Sequence, residues 1–415
     1  MSVELTALGK KCNLGCSYCY QGAEREAANN SAPPYDMEAM KTGLIAEGVG
    51  RPDGKGNVTG WTLFGGEALL MPIGDVERLL EWSASLSAPV GCQTAGNLIT
   101  ERHITLFKKY GVSVGFSIDG PDDLNDARQA MKVEATRATT AMSLKNLDRL
   151  LAEGISTSLI VTLTSINVGT EDKLVRLTAW LLSLRDKGLR YVNLHMLEPH
   201  GSDTLALTQE WQIVVMTRLR NKLVGFSSVS PFEDMQKSLL QESGSNCIWN
   251  FCDPYTTAAV HGVNGQGGRG NCGRTNKNGV DYEKAGTSGH ERHVALYLTP
   301  QKYGGCAECR FFIPCGGGNC PGEGIDGDWR NRTVHCETIK ALMGDMEQEL
   351  FAEGKDPISI SLRRPGMEAG LIAKWTGQPQ TPAENLHGDI GAVEHQDHDD
   401  TVRPVIIDAS GKRIQ

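Results

Sequence analysis

Three times in this chain a predicted helix ends on a glycine, and a β-strand begins with almost no linker. Helix 101–110 gives way to Gly111 and strand 112–117, helix 139–153 to Gly154 and strand 156–163, and helix 171–187 to Gly188 and strand 191–196. A glycine just past a helix accepts the left-handed backbone that ends it. A helix returned so abruptly to a strand packs back along the sheet, so successive strands run parallel through right-handed crossovers. Upstream, residues 3–8, 59–64 and 90–94 read as strands. Between them lie a helix that Asp36 caps, carrying Met37, Met40, Leu44 and Ile45, and one that Asp75 caps, carrying Val76, Leu79, Leu80 and Trp82. A last amphipathic helix is expected over 208–224. Six strand–helix units suit an α/β fold of the partial (β/α)6 TIM-like barrel type, short of the eight that close a full barrel. A doubly wound sheet is the rival.

Beyond about residue 243 the text changes: glycine and cysteine become dense and periodicity fades up to Cys336. Such a stretch buries little apolar area, so metal would have to organise it. The whole chain of 415 residues holds 12 cysteines, three within Cys12 to Cys19 and eight within Cys247 to Cys336, leaving Cys92 alone and suited to a buried structural place. Disulfides need an oxidising compartment, and residues 1–8 show no signal peptide. Metal ligation in a cytoplasmic protein is the expectation. A formal net charge of −9 with no basic run disfavours nucleic acid and anionic membranes, and no stretch reaches the roughly 20 apolar residues of a membrane helix. A helix is expected over 337–351; after Gly354 the chain is polar, with Pro357, Pro365, Pro379 and Pro382 and an acidic segment holding His387, His395 and His398. That segment is expected to be a solvated tail rather than a metal site.

The first cluster reads Lys11-Cys12-Asn13-Leu14-Gly15-Cys16-Ser17-Tyr18-Cys19-Tyr20, directly after the first strand. Three thiolates at spacings of four and three can hold three irons of a cubane and leave the fourth iron open. Zinc is the alternative, but it wants a fourth ligand, and no other Cys or His lies close in sequence. Cys-x3-Cys-x-aromatic-Cys in this place resembles the signature of the radical S-adenosylmethionine superfamily.

The resemblance implies a [4Fe–4S] cluster on Cys12, Cys16 and Cys19, whose open iron the methionine part of S-adenosylmethionine chelates. Reductive cleavage then gives a 5′-deoxyadenosyl radical that takes hydrogen from substrate. It further implies Tyr18 near the adenine, and Gly65, Gly66 and Glu67 at the methionine amine. Thr94 follows in a loop where Ala95 replaces the usual Asn. Ser117, in Ser117-Ile118-Asp119-Gly120-Pro121, is expected near the carboxylate or ribose, Arg128 at the carboxylate, and Leu197 closing the adenine pocket. A solvated helix position is the other reading of Arg128, and His195 reads as a packed core histidine. Asp119, Asp253 and Asp281 are open as proton acceptors, and no catalytic acid or base is assigned.

Cys306-x2-Cys309-x5-Cys315-x4-Cys320 followed by Cys336 resembles the SPASM domain of peptide-modifying radical enzymes, with one residue more than usual before Cys320. Cys252, then Gly267, then Cys272 fits the same pattern, with residues 259–267 as its hairpin. Zinc-ribbon pairs are the alternative here. The resemblance implies two auxiliary [4Fe–4S] clusters, an inner one on Cys247, Cys252, Cys272 and Cys320 and an outer one on Cys306, Cys309, Cys315 and Cys336. The implied domains are a radical S-adenosylmethionine partial barrel over 1–235, a SPASM domain over 236–345, and a helix end with a partly disordered polar tail over 346–415.

The function it implies is maturation of a ribosomally made precursor peptide, by hydrogen abstraction and oxidative cross-linking through a C–C, C–O or thioether bond. An anaerobic sulfatase-maturing enzyme, making formylglycine, shares the whole cysteine plan. A non-catalytic electron-transfer or zinc-binding module is the reading from another class, and it leaves Gly65-Gly66-Glu67 without a role. Only eleven residues precede Cys12, too few for a leader-binding winged helix. Leader recognition is therefore expected from a separate leader-peptide-binding protein or from the barrel surface. A flavodoxin or ferredoxin is implied as electron donor.

Overall fold

The computed structural model describes residues 2–31, 34–53, 56–198, 203–244, 247–249, 251, 260–270, 291–298, 305–318 and 331–377. The chain divides into two compact units, the first comprising residues 1–208, 218–230 and 260–283, the second residues 209–217, 231–259 and 284–415.

The first unit is built on one nine-stranded sheet. Its strands are β1 (Ser2–Thr6), β2 (Trp61–Leu63), β3 (Val90–Thr94), β4 (Ser113–Ser117), β5 (Thr157–Leu163), β6 (Tyr191–Met196), β7 (Ser228–Ser230), β8 (Val260–Asn264) and β9 (Arg269–Gly270). The order is β7-β6-β5-β4-β3-β2-β1-β8-β9, and every pairing is parallel except β8 with β9. β1 to β6 thus neighbour one another in chain order, as right-handed βα repeats require. The sheet is open, with β7 and β9 at its ends. Helices α1 (Gly22–Ser31), α2 (Met37–Ala46), α3 (Ile73–Ser85), α4 (Glu101–Tyr110), α5 (Val133–Ala152), α6 (Ser165–Val168) and α7 (Glu171–Asp186) fill the connections.

Local chemistry explains the boundaries. Asp36 caps α2 by accepting from the backbone N–H of Glu38 and Ala39, both at 2.9 Å. Gly111, Gly154 and Gly188 all have positive φ, the left-handed backbone their positions demand. Asp75 does not cap α3: Pro72 stands at the N-cap, and Asp75 lies in the first turn. α5 begins at Val133, six residues before the expected 139. Its buried inner positions are polar, Thr136, Thr140, Ser143 and Asn146, so hydrophobic periodicity hides the first turns. The core is Val3, Leu5, Phe116, Leu159, Val161, Leu177 and Leu181, each 0% exposed. Burying each such side chain contributes about 1.5–3 kcal/mol.

The hairpin expected within the second domain belongs to the first sheet. β8 runs parallel to β1 in register Ser2↔Val260 to Thr6↔Asn264. It covers the backbone groups that β1 would otherwise leave unpaired.

In the second unit the described helices are Phe232–Leu239, Glu291–Leu298, Phe312–Cys315, Cys336–Ala352 and Arg364–Thr376. The last lies within the stretch beyond Gly354 that the sequence marks as polar. Pro365 starts this helix rather than breaking it. Its Met367 packs with Ile313 and Ile358, and its Trp375 with Val294, Phe312 and Phe251. The cysteine-bearing segment is thereby walled by aromatic contacts, Phe251 to Trp375 at 5.0 Å and Phe251 to Phe312 at 5.7 Å between centroids. The acidic tail 387–400 lies outside the described residues. Among the described residues no helix is long and apolar enough to cross a membrane.

Candidate active site

The carboxyl ends of β1 to β6 converge on a cavity of about 230 Å3. That end of a parallel sheet is where α/β folds place their chemistry. Cys12, Cys16 and Cys19 line the cavity from the loop after β1. Gly65, Gly66 and Glu67 line it after β2, Thr94 and Ser117 at the ends of β3 and β4, and Leu197 after β6. Tyr18 and Arg128 complete the wall, so all eight residues singled out for S-adenosylmethionine border the same space as the three thiols. Sequence reasoning missed Lys10, Arg25, Gln93, Thr162 and Glu198, which also line it. His195, expected in the core, is half-buried and stands on the cavity wall.

The cysteine loop is held from three sides. Gly15 and Ser17 donate backbone N–H groups to the carbonyls of Gln129 and Ala127 at 2.7 and 2.8 Å. Asn29 of α1 clasps the Cys12 backbone, accepting its N–H at 3.1 Å and donating to its carbonyl at 3.0 Å. The loop after β2 takes the third side, where the backbone N–H groups of Gly66 and Glu67 donate to Gly9 and Lys11 at 3.0 and 2.8 Å. A Cβ on Gly66 would lie 2.5 Å from the Lys10 carbonyl oxygen, and one on Gly65 2.6 Å from that of Gly9. These two glycines admit the cysteine loop itself, in addition to any ligand. Burial pushes the Cys12 thiol up to about 11 and that of Cys16 up to about 12. A metal bound by these thiols would have to drive their protons off.

Glu67 is 2% exposed. Its carboxylate accepts from the Leu69 N–H at 3.0 Å, the Thr94 hydroxyl at 2.7 Å and the Ala95 N–H at 2.8 Å. Burial raises its pKa against the pull of these three donors. Thr94 in turn accepts the Gly96 N–H at 2.9 Å. Glu67 thus locks the loops after β2 and β3 together, and the Thr94 hydroxyl proton is committed to it. Ser117 accepts from Gln93 Nε2 at 2.8 Å. Arg128 is 9% exposed, which overturns its reading as a solvated helix residue. Asp119 is 0% exposed and bonded to Tyr18, Arg128 and the Thr162 N–H. A carboxylate so enclosed is a poor proton acceptor for substrate. Asp253 and Asp281 lie outside the described residues. Cys92 is 4% exposed on β3, where burial raises its thiol pKa.

In the second unit Cys306, Cys309, Cys315 and Cys336 line one small cavity, with Arg332 and Lys340 at its edge. Consecutive turns set them there. Cys309 donates its N–H to the Cys306 carbonyl at 3.1 Å, Phe312 to Cys309 at 2.9 Å, and Cys336 to Thr333 at 3.1 Å as it opens its helix. Burial raises the Cys336 thiol while Lys340 and Arg332 pull it down. Of the other set, Cys252, Cys272 and Cys320 and the side chain of Cys247 lie outside the described residues. Among the described residues no three His, Cys, Asp or Glu side chains gather tightly enough for a single metal ion.

Residues 7–178 match the profile of the Radical SAM superfamily. The serine-type anaerobic sulfatase-maturating enzyme of Klebsiella aerogenes is 25% identical over 216 residues, 50% of this chain and 48% of that one. The enzyme of the same name from Bacteroides thetaiotaomicron is 26% identical over 136 residues, 32% of each chain. The match thus spans about half the length of the first relative and less of the second. A solved structure of native anSMEcpe with bound AdoMet and Cp18Cys peptide shares the fold, at TM-score 0.63 and 17% identity, over 85% of this chain and 98% of that one.

Proposed function

We propose, from the radical S-adenosylmethionine domain that residues 7–178 form, that this protein is an enzyme that oxidises a side chain of a peptide substrate by hydrogen abstraction. The observation that carries the reading is the single cavity bordered by three loop thiols and eight polar or apolar wall residues at the strand ends. Cys12, Cys16 and Cys19 would hold a [4Fe–4S] cluster, and with only three thiols they leave one iron for S-adenosylmethionine. When bound, the cluster and S-adenosylmethionine supply the radical that takes the hydrogen.

The chain's own residues supply binding and enclosure. Arg128 is a cation available to a carboxylate, with Lys10 and Arg25 also on the wall, and Ser117 offers a hydroxyl to the same cavity. Gly65 and Gly66 expose backbone to the cavity. Glu67 keeps acceptor capacity on the oxygen that bonds Ala95, within reach of an ammonium group. Tyr18 and Leu197 provide flat and apolar wall. The four thiols of Cys306, Cys309, Cys315 and Cys336 suit a fully ligated auxiliary cluster, and Cys247, Cys252, Cys272 and Cys320 are proposed for another. With all four thiols of a set engaged, such clusters would leave no open iron, and would supply electron transfer and support, including a route for the second electron of a net oxidation.

Two products fit this chemistry. Cross-linking of a ribosomally made precursor peptide is the first, with a separate leader-binding protein as a possible partner and a flavodoxin or ferredoxin as electron donor. Formylglycine formation is the second, favoured by the names of the curated relatives. Mass spectrometry of the cognate peptide after anaerobic turnover separates them. A cross-link removes two hydrogens and gives no aldehyde, whereas formylglycine reacts with hydrazines. A redox-neutral product such as an epimer would exclude both.

A further inference from the structure

The Tyr18–Asp119–Arg128 group is the one feature of the cavity wall that binding alone does not explain. Asp119 follows β4 with no exposure to solvent. One carboxylate oxygen accepts from Arg128 Nη2 at 3.0 Å and from the Thr162 N–H at 2.9 Å. The other accepts the Tyr18 hydroxyl at 2.5 Å. The Asp119 backbone is fixed as tightly: its N–H donates to Asn125 Oδ1 at 2.8 Å, and its carbonyl accepts from Asn167 Nδ2 at 2.9 Å. Arg128 lies 5.5 Å from the centre of the Tyr18 ring, and its Nε is buried with no hydrogen-bond partner among the described residues. Tyr18 itself immediately precedes Cys19.

A buried cation beside a cluster favours the reduced, more negative state, because low dielectric leaves its field unscreened. A buried anion does the reverse. The Asp119–Arg128 pair lies against the cysteine loop, since Ala127 and Gln129, the neighbours of Arg128 in the chain, accept the backbone N–H groups of Ser17 and Gly15 at 2.8 and 2.7 Å. We propose that Asp119 is a positioning residue that cancels the charge of Arg128 at the cysteine loop, so that Arg128 can face a carboxylate ligand without raising the reduction potential of the cluster. The inference rests on the cluster assignment made under Proposed function. It gives the enclosed carboxylate a purpose: reductive cleavage of a sulfonium needs a strongly reducing cluster, and a bare guanidinium would weaken it.

The test is a set of redox titrations followed by electron paramagnetic resonance on the loaded full-length enzyme, with iron content measured alongside. Asp119→Asn should shift the midpoint of the Cys12–Cys16–Cys19 cluster positive, and Arg128→Gln should shift it negative. The double variant should return close to wild type, and Asp119→Glu should stay there. Arg128→Gln should also weaken S-adenosylmethionine binding about tenfold or more, as loss of a charged hydrogen bond does. Opposite shifts that cancel are not produced by a merely structural residue. Shifts of the same sign, or none, at wild-type iron content would overturn the proposal. Should Asp119→Asn fail to load, Arg128→Gln decides alone, because an unshifted midpoint there also overturns it. A wild-type protein that loads no cluster would instead sink the underlying functional reading.

Discussion

Replacing Gly66 with alanine tests whether the loop after β2 supports the cysteine loop. The new Cβ would sit 2.5 Å from the Lys10 carbonyl oxygen and 2.6 Å from the Lys11 carbonyl carbon, where real contacts stay beyond 3.0 Å. The cysteine loop must therefore retreat by about half an ångström. That motion loosens two backbone hydrogen bonds, Gly66 to Gly9 at 3.0 Å and Glu67 to Lys11 at 2.8 Å. At about 1 kcal/mol each, with about 1–3 kcal/mol of overpacking strain partly relieved by the same motion, the cost is roughly 2–4 kcal/mol. Urea unfolding of the metal-free protein reads it as a lowered midpoint at unchanged slope. Iron retained after anaerobic desalting should fall as well. Gly74→Ala is the control, since a Cβ there meets nothing within 4 Å near the start of α3. It should be neutral or stabilising by up to about 1 kcal/mol. A Gly66→Ala protein as stable and iron-rich as the control would refute the reasoning.

Three further outcomes are expected. Glu67→Gln places an amide where the carboxylate accepts three donors. It should leave a buried donor unsatisfied and cost about 1–3 kcal/mol in the same unfolding assay. Asp123, bonded by Arg176, has its pKa held below the ordinary 3.8, so its contribution is present above that value and is lost as pH falls through the depressed one. Arg176→Gln should accordingly cost under about 1 kcal/mol at neutral pH, both groups being 38% exposed, with the difference from wild type vanishing in acid. Cys309→Ser removes one of four thiols at the second-unit cavity. With three cubanes it should lower bound iron from about twelve to about eight per chain, while cleavage of S-adenosylmethionine without peptide persists.

Much of the first unit was legible because its signals are local. Helix 101–110 and Gly111 read directly from residue type, and the site loops follow from where strands end. Asp75 and the start of α5 are misread for local reasons, while the other errors depend on partners distant in sequence. The stretch 260–264 reads as a strand, but only the open edge of β1 decides which sheet it joins. Helix Arg364–Thr376 hides among prolines because its apolar residues serve two small clusters rather than one continuous stripe. Asn29 carries no motif, and its two bonds to Cys12 exist only once α1 folds back over the loop. Gly65-Gly66 are expected at a cofactor's methionine amine, and the close backbone approach there is by the protein's own loop. The partnership of Asp119 with Tyr18 joins residues 101 positions apart.

The most direct measurement compares the anaerobically reconstituted protein with a Cys12→Ala/Cys16→Ala/Cys19→Ala variant, before and after S-adenosylmethionine is added under reducing conditions. The account predicts a cluster signal in the wild type that changes when the cofactor arrives, with release of 5′-deoxyadenosine. The variant should lose both while keeping the iron of the second unit. A variant that still cleaves S-adenosylmethionine, or a wild type whose three loop thiols hold zinc, would contradict it.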